Sequence, residues 1–197
     1  MFAVPSPIKI SNDFKTEIHL GETVTLNTRS LMTVGISDCV VSADPQGVIA
    51  THALGSCIAV AIYDPVAGVS GLLHFMLPDS ATDPERARTR PYMFADSGIP
   101  TFFRMSYELG AVKQRLKVAL IGGAQVLGTN DVFQIGKRNH VAARKILWKA
   151  GVMVHHEDVG GEDPRTVHMD VSSGRVVISH GGRERELVPA QERKRNV

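Results

Sequence analysis

The sequence predicts an α+β fold: a single domain of mixed β-sheets with a few packed helices. Three observations predict it. Short apolar runs rich in β-branched residues recur along the chain, as in Cys57-Ile58-Ala59-Val60-Ala61-Ile62-Tyr63 and Val69-Ser70-Gly71-Leu72-Leu73-His74-Phe75-Met76-Leu77. Turn-forming clusters separate these runs, among them Asp64-Pro65-Val66-Ala67-Gly68 and Ser172-Ser173-Gly174. Helical reading is confined to two stretches. With 197 residues and 43% hydrophobic content, the chain has enough apolar surface for one sizeable core, and no internal repeat divides it.

Taken in order, residues 1–30 read as an N-terminal extension of unassigned role. Residues 31–186 read as the folded unit, and 187–197 as a polar C-terminal tail. Asp38–Ala43 and Gly47–His52 are expected as strands joined by a turn at Pro45-Gln46-Gly47. A β-hairpin follows, in which Asp64 opens the turn, Pro65 pre-sets its first φ and Gly68 closes it. Residues 79–92 are polar, carry Arg86, Arg88 and Arg90, and read as a loop beside the hairpin's open end. A helix is expected from Ser97 to Leu109, with Pro100 tolerated in its first turn and Gly110 stopping it. Leu116–Ile121 is a buried strand. Asn139 reads as the cap of a second helix, His140–Ala150, ended by Gly151. Val152–His156, Thr166–Val171 and Arg175–Ser179 complete the sheet.

Composition excludes several classes. The formal charge is +2, and residues 183–197 account for it with five basic and three acidic side chains, leaving the rest balanced. Aromatic residues are sparse and do not interleave with basic ones, so neither a nucleic-acid patch nor a base-stacking platform is expected. Two cysteines, Cys39 and Cys57, are too few for a disulfide framework and suit a reducing compartment. The segment Met1-Phe2-Ala3-Val4-Pro5 lacks the basic start and apolar core of a signal peptide, and no apolar run reaches membrane-spanning length. A cytoplasmic location without membrane insertion is the expectation. No cofactor or metal is expected: neighbours in the run His155-His156-Glu157-Asp158 alternate between faces of a strand, and Gly122-Gly123 lacks dinucleotide or Walker spacing. Close backbone approach is the expected use of that glycine pair. Cys39 reads as a core thiol.

One segment carries chemistry. Thr51-His52-Ala53-Leu54-Gly55-Ser56-Cys57 brings a hydroxyl, imidazole and thiol together, and His74 follows on the hairpin's second strand. If Tyr63 pairs with Gly68, Cys57 lies directly opposite His74, on the same face and about 4.5–5.5 Å away at Cβ. A one-residue slip would separate them. Taken singly, Cys57 is an ordinary buried hydrophobe and His74 an ordinary structural histidine. Paired across the hairpin, they admit a catalytic reading, nucleophile and base of a cysteine hydrolase, on equal terms with the structural one.

Three stretches of this region are Val48-Ile49-Ala50-Thr51-His52-Ala53-Leu54-Gly55-Ser56-Cys57, Tyr63-Asp64-Pro65-Val66 and His74-Phe75-Met76-Leu77-Pro78. With Ala95-Asp96-Ser97-Gly98-Ile99-Pro100, Gly122-Gly123-Ala124, Ile135-Gly136-Lys137-Arg138-Asn139 and Asp158-Val159-Gly160-Gly161 up to Arg165, the chain closely resembles the CheD family of chemoreceptor glutamine deamidases. The resemblance spans about residues 33–180. It implies a catalytic set of Cys57 as nucleophile, His74 as general base and acid, and Thr51 as the group orienting His74. Chemistry adds backbone N–H groups around Gly55, Ser56 and Cys57 for the oxyanion. His52, where the family often has another residue, and Arg165, in the glycine loop, are the expected substrate contacts.

The resemblance further implies hydrolysis of glutamine side chains on methyl-accepting chemoreceptors through a thioester. It also implies glutamate methyl ester cleavage in some members, and a CheC-type phosphatase as partner. Two rival readings are a binding regulator of such a phosphatase and a cysteine peptidase. Selective alkylation of Cys57 over Cys39 separates hydrolase from regulator, and the product separates the two hydrolases.

Overall fold

A computed structural model describes residues 29–125 and 134–191. Within them lie two five-stranded sheets. The first runs in the order β1-β3-β8-β9-β10, built from β1 (Ser30–Thr33), β3 (Gly47–Leu54), β8 (Arg165–Asp170), β9 (Val176–His180) and β10 (Arg183–Val188). The second runs β2-β5-β4-β6-β7, built from β2 (Asp38–Ser42), β5 (Val69–Phe75), β4 (Ile58–Asp64), β6 (Lys117–Gly122) and β7 (His156–Val159). Both sheets are mixed: β1–β3 and β6–β7 are parallel, the other pairs antiparallel. Helix α1 (Pro84–Thr89) is short, while α2 (Ala95–Glu108) and α3 (Ile135–Lys149) pack on the second sheet. The fold is thus a single α+β domain.

The layers explain the sequence pattern. Strands β4 and β5 are buried at every position, because one face meets the first sheet and the other meets the helices. Such strands read as continuous apolar runs. Ala59, Ala61, Tyr63 and Leu72 face Ile49, Leu54, Val167 and Met169 of the first sheet. Ile58, Val60, Ile62, Leu73 and Phe75 face Ile99, Phe102, Ala143 and Leu147 of the helices. Each fully buried Ile, Leu or Phe contributes roughly 1.5–3 kcal/mol. In β8, by contrast, burial alternates strictly, since its outer face meets water.

Several elements differ from expectation. The strands flanking the Pro45-Gln46-Gly47 turn form as expected, and they belong to different sheets, so the turn carries the chain from the second sheet to the first. Residues 80–93 are two 3₁₀ turns around α1 rather than a loop; Asp79 accepts from the Ala81 N–H and starts the first turn, and Asp83 accepts from the Arg86 N–H and caps α1, despite the polar composition. Helix α2 begins at Ala95, because a bridge between Leu77 and Phe94 and the Ala95 N–H to Leu77 carbonyl bond (2.8 Å) fix its start. Pro100 therefore sits inside the helix. Helix α3 begins at Ile135, so Asn139 is an interior residue and not a cap. Residues 152–155 are an extended connection whose Val152 and Val154 pack on the helical core before pairing begins at His156. Strand β10 was hidden by its alternating Arg and Glu, the charged composition of an edge, and its Val188 reaches the inter-sheet core. Of the N-terminal extension, residues 1–28 lie outside the described residues.

Candidate active site

The site lies at the open end of the β4–β5 hairpin, between the sheets. Here the register departs from expectation: Ala59, not Cys57, lies opposite His74. Asp64 explains the shift. Its side chain accepts from the Val66 and Ala67 N–H groups, and its carbonyl accepts from Gly68, so Asp64 closes the ladder against Val69 and the loop is residues 65–68. The register moves by two residues, which preserves the face. Cys57, one residue before β4, remains on His74's side as a diagonal neighbour.

His74 is 1% exposed. Its Nδ1 lies 2.9 Å from the Thr51 hydroxyl on β3, and that hydroxyl lies 2.8 Å from the carbonyl of Val34. A hydroxyl has one proton. It donates that proton to Val34, so it accepts from His74, and Nδ1 carries the ring's hydrogen. Nε2 is then a lone pair, buried and, among the described residues, without a hydrogen-bond partner. Burial lowers the pKa of His74 to about 4, which keeps the ring neutral. The Ser37 N–H donates to the His74 carbonyl (2.9 Å), so the 34–37 loop holds both the hydroxyl and the histidine's backbone.

Cys57 is half-buried and free. Burial raises its pKa, and its own backbone N–H, turned toward the sulfur, works the other way. Cys39 differs: it is buried in the helical core beside Met105, and burial pushes its pKa up to about 12. Both shifts favour the uncharged forms, a thiol at Cys57 and a neutral imidazole at His74.

Three carbonyls of the nucleophile loop are pinned from one side. The Ala124 N–H donates to Gly55 (2.8 Å), the Asn139 amide to Ser56 (3.0 Å) and the Gly123 N–H to Cys57 (2.7 Å). The glycine pair is needed for this approach, since a Cβ on Gly122 would run into the Cys57 carbonyl, and φ is +111° there. Gly136 of α3 packs directly on the Gly123 carbonyl, which brings Asn139, one turn on, beneath the loop. Asn139 is fully buried and also donates to the Met76 carbonyl (2.8 Å). Sequence reasoning gave it a capping role. The overlooked signal is the helical spacing of Gly136, Asn139, Ala143 and Leu147, which form the buried stripe of α3.

The two expected substrate contacts are placed elsewhere. His52 lies on the outer face of the first sheet, edge-on to His168 at 5.9 Å, opposite in direction to Thr51. Arg165 is 8% exposed, and its guanidinium donates to Asp158 (2.9 Å) and to the Asp163 carbonyl (2.8 Å). Arg185 of β10 reaches the same Asp158. These contacts hold the glycine loop, whose Gly160 and Gly161 line a cleft of about 400 Å³ with Gly123, Lys137 and His140.

A thiol, an imidazole whose tautomer is fixed by a hydroxyl, and a backbone N–H that among the described residues meets only its own sulfur are the equipment of an acyl-transfer hydrolase. The family described as CheD chemotactic sensory transduction matches residues 76–180. A protein of Solibacter usitatus named probable chemoreceptor glutamine deamidase CheD is 50% identical over 161 residues, covering 82% of this chain and 95% of the relative. One from Syntrophus aciditrophicus, probable chemoreceptor glutamine deamidase CheD 1, is 49% identical over 78% of this chain and 97% of its own. An archaeal relative from Pyrococcus abyssi, also named probable chemoreceptor glutamine deamidase CheD, is 39% identical over 73% and 87%. The chain belongs to the CheD family.

Proposed function

We propose that this protein hydrolyses the side-chain amide of specific glutamines on the cytoplasmic helices of methyl-accepting chemoreceptors, with Cys57 as nucleophile, His74 as general base and acid, and Thr51 orienting His74. The observation that carries this reading is the bare, buried Nε2 of His74, whose other nitrogen is committed to Thr51. A buried acceptor of this kind calls for an explanation, and receipt of the thiol proton supplies one.

Substrate closes the remaining gap between Cys57 and His74, as catalytic hydrogen bonds tighten in the bound complex. Nε2 takes the thiol proton as sulfur bonds to the carboxamide carbon, and the carbonyl electrons move to oxygen. The N–H of Cys57 receives that oxyanion. When the tetrahedral adduct collapses, the C–N bond breaks and the imidazolium proton leaves with nitrogen as ammonia. Water then loses a proton to Nε2 and attacks the thioester. The C–S bond breaks, the thiol regains its proton, and glutamate remains.

Glutamate methyl esters follow the same path with methanol leaving. Among the described residues no helix is long and apolar enough to cross a membrane, which fits a cytoplasmic enzyme meeting receptors from that side. A CheC-type phosphatase is a second partner to test by co-purification.

The test is ammonia release from a purified receptor cytoplasmic fragment, with peptide mass mapping. Wild type should convert a glutamine to glutamate, and Cys57→Ala should bind the fragment and release nothing. Turnover near wild type in Cys57→Ala would overturn the assignment.

A further inference from the structure

Asn139 stands outside the catalytic set yet touches both sides of it. Its amide nitrogen donates to Ser56, the residue before the nucleophile, and to Met76, which the register continues opposite Cys57. Both acceptors are carbonyls, so the nitrogen must face them; a flipped amide would set oxygen against oxygen. Oδ1 is left buried and, among the described residues, without a partner. The residue is therefore used for its two N–H groups.

What those two bonds fix follows from peptide geometry. The Ser56 carbonyl and the Cys57 N–H belong to one planar trans unit, in which they point in opposite directions. Holding the carbonyl toward α3 aims the N–H away from α3. That N–H stands beside its own sulfur and, among the described residues, donates to no other group. Gly55 and Cys57 are anchored by backbone N–H groups of 123 and 124. The Ser56–Cys57 peptide is anchored by a side chain, and its setting can be removed by substitution.

We propose that Asn139 is a positioning residue that, through the Ser56 carbonyl it holds, aims the Cys57 N–H at the oxyanion. The inference rests on the deamidase reading of Cys57. Alkylation of Cys57 by iodoacetamide, a displacement at saturated carbon, forms no oxyanion. It reports the sulfur and its base, whereas deamidation reports these and the N–H together.

Asn139→Ala and the near-isosteric Asn139→Asp, neither able to donate two N–H bonds, are compared with wild type and Cys57→Ala on the receptor fragment. The expected result is kcat lower by about 100-fold, with KM and the rate of Cys57 alkylation within threefold of wild type and Cys39 still protected. Three results would overturn it: kcat within threefold of wild type, a kcat loss matched by an equal change in Cys57 alkylation, or loss of folding in both variants with Cys39 exposed. Absence of Cys57-dependent ammonia from wild type is a different failure. It removes the deamidase reading itself, and this inference falls with it.

Discussion

The two ends of the β4–β5 hairpin are built from similar parts and finished differently. At the turn end Asp64, fully buried, is met by Arg115 (2.8 Å) and by the N–H groups of Val66, Ala67 and Val112. Two side chains stitch that end to the first sheet: the Tyr63 hydroxyl donates to the Ser172 carbonyl and the Ser70 hydroxyl to the Val171 carbonyl, each at 3.0 Å. At the open end the stitch is Thr51 to His74. Both ends bury polar groups, but the turn end pairs them and, among the described residues, the open end leaves His74 Nε2 and Asn139 Oδ1 without partners. Burying a polar atom unpaired costs about 1–3 kcal/mol, a cost the turn end avoids and the open end carries, and the proposed role of His74 Nε2 accounts for it there.

The largest contrast comes from breaking the turn end. Arg115→Met leaves the Asp64 charge buried without its main partner and should cost about 3–4 kcal/mol of stability, read by denaturant unfolding, while kcat stays within twofold. A fall in kcat with unchanged stability would erase the distinction between the ends.

Acid acts on both ends. Burial opposes the charge on Asp64, but Arg115 and the surrounding N–H groups outweigh it and hold its pKa low. Its stabilising effect is present above the ordinary carboxylate pKa and is lost as pH falls through the lowered value. For His74 the pKa falls from 6.5 to about 4. Between those values the unfolded chain binds a proton that the folded chain refuses, so stability drops as pH falls across that window, by about 3 kcal/mol in full. Melting temperature followed from pH 7 to 4 should show this loss, and His74→Gln should flatten the slope. An equal slope in the variant would remove His74 from the account.

The smallest effect sharpens the open end. Thr51→Val keeps volume but frees Nδ1, so the imidazole populates the wrong tautomer; kcat should fall about 10- to 30-fold. Thr51→Ser should restore most of it. Equal loss in Val and Ser variants would mean that shape, not the hydroxyl, is what Thr51 supplies.

The fold class and most elements were legible because β4, β5 and β6 are buried on both faces and turn residues punctuate them. The thiol and imidazole were legible as a pair because a face depends only on parity, and the two-residue register error conserved parity. The error arose in Asp64, whose side chain mimics a turn opener while its backbone ends the ladder. Three features were less legible. Strand β10 has no apolar periodicity, Asn139 satisfies the composition rule for a cap while sitting in a buried stripe, and the Val34 carbonyl that fixes the tautomer has no side-chain signature. Arg165 and His52 show the converse: their types suit a site, but an ion pair and a sheet face determine where they are.

The pinned loop has a consequence for when this chain becomes reactive. The carbonyl of Val34, the hydroxyl of Thr51, the imidazole of His74 and the amide of Asn139 come from four separate stretches, and each contact spans many residues. Such long-range pairings form late and slowly in mixed-sheet folds. A nascent chain ending before α3 holds its cysteine without the aimed peptide that would let it act. On the deamidase reading, amide hydrolysis therefore arrives with the last long-range contacts and not before, whereas the thiol itself is open to simple alkylation until burial raises its pKa.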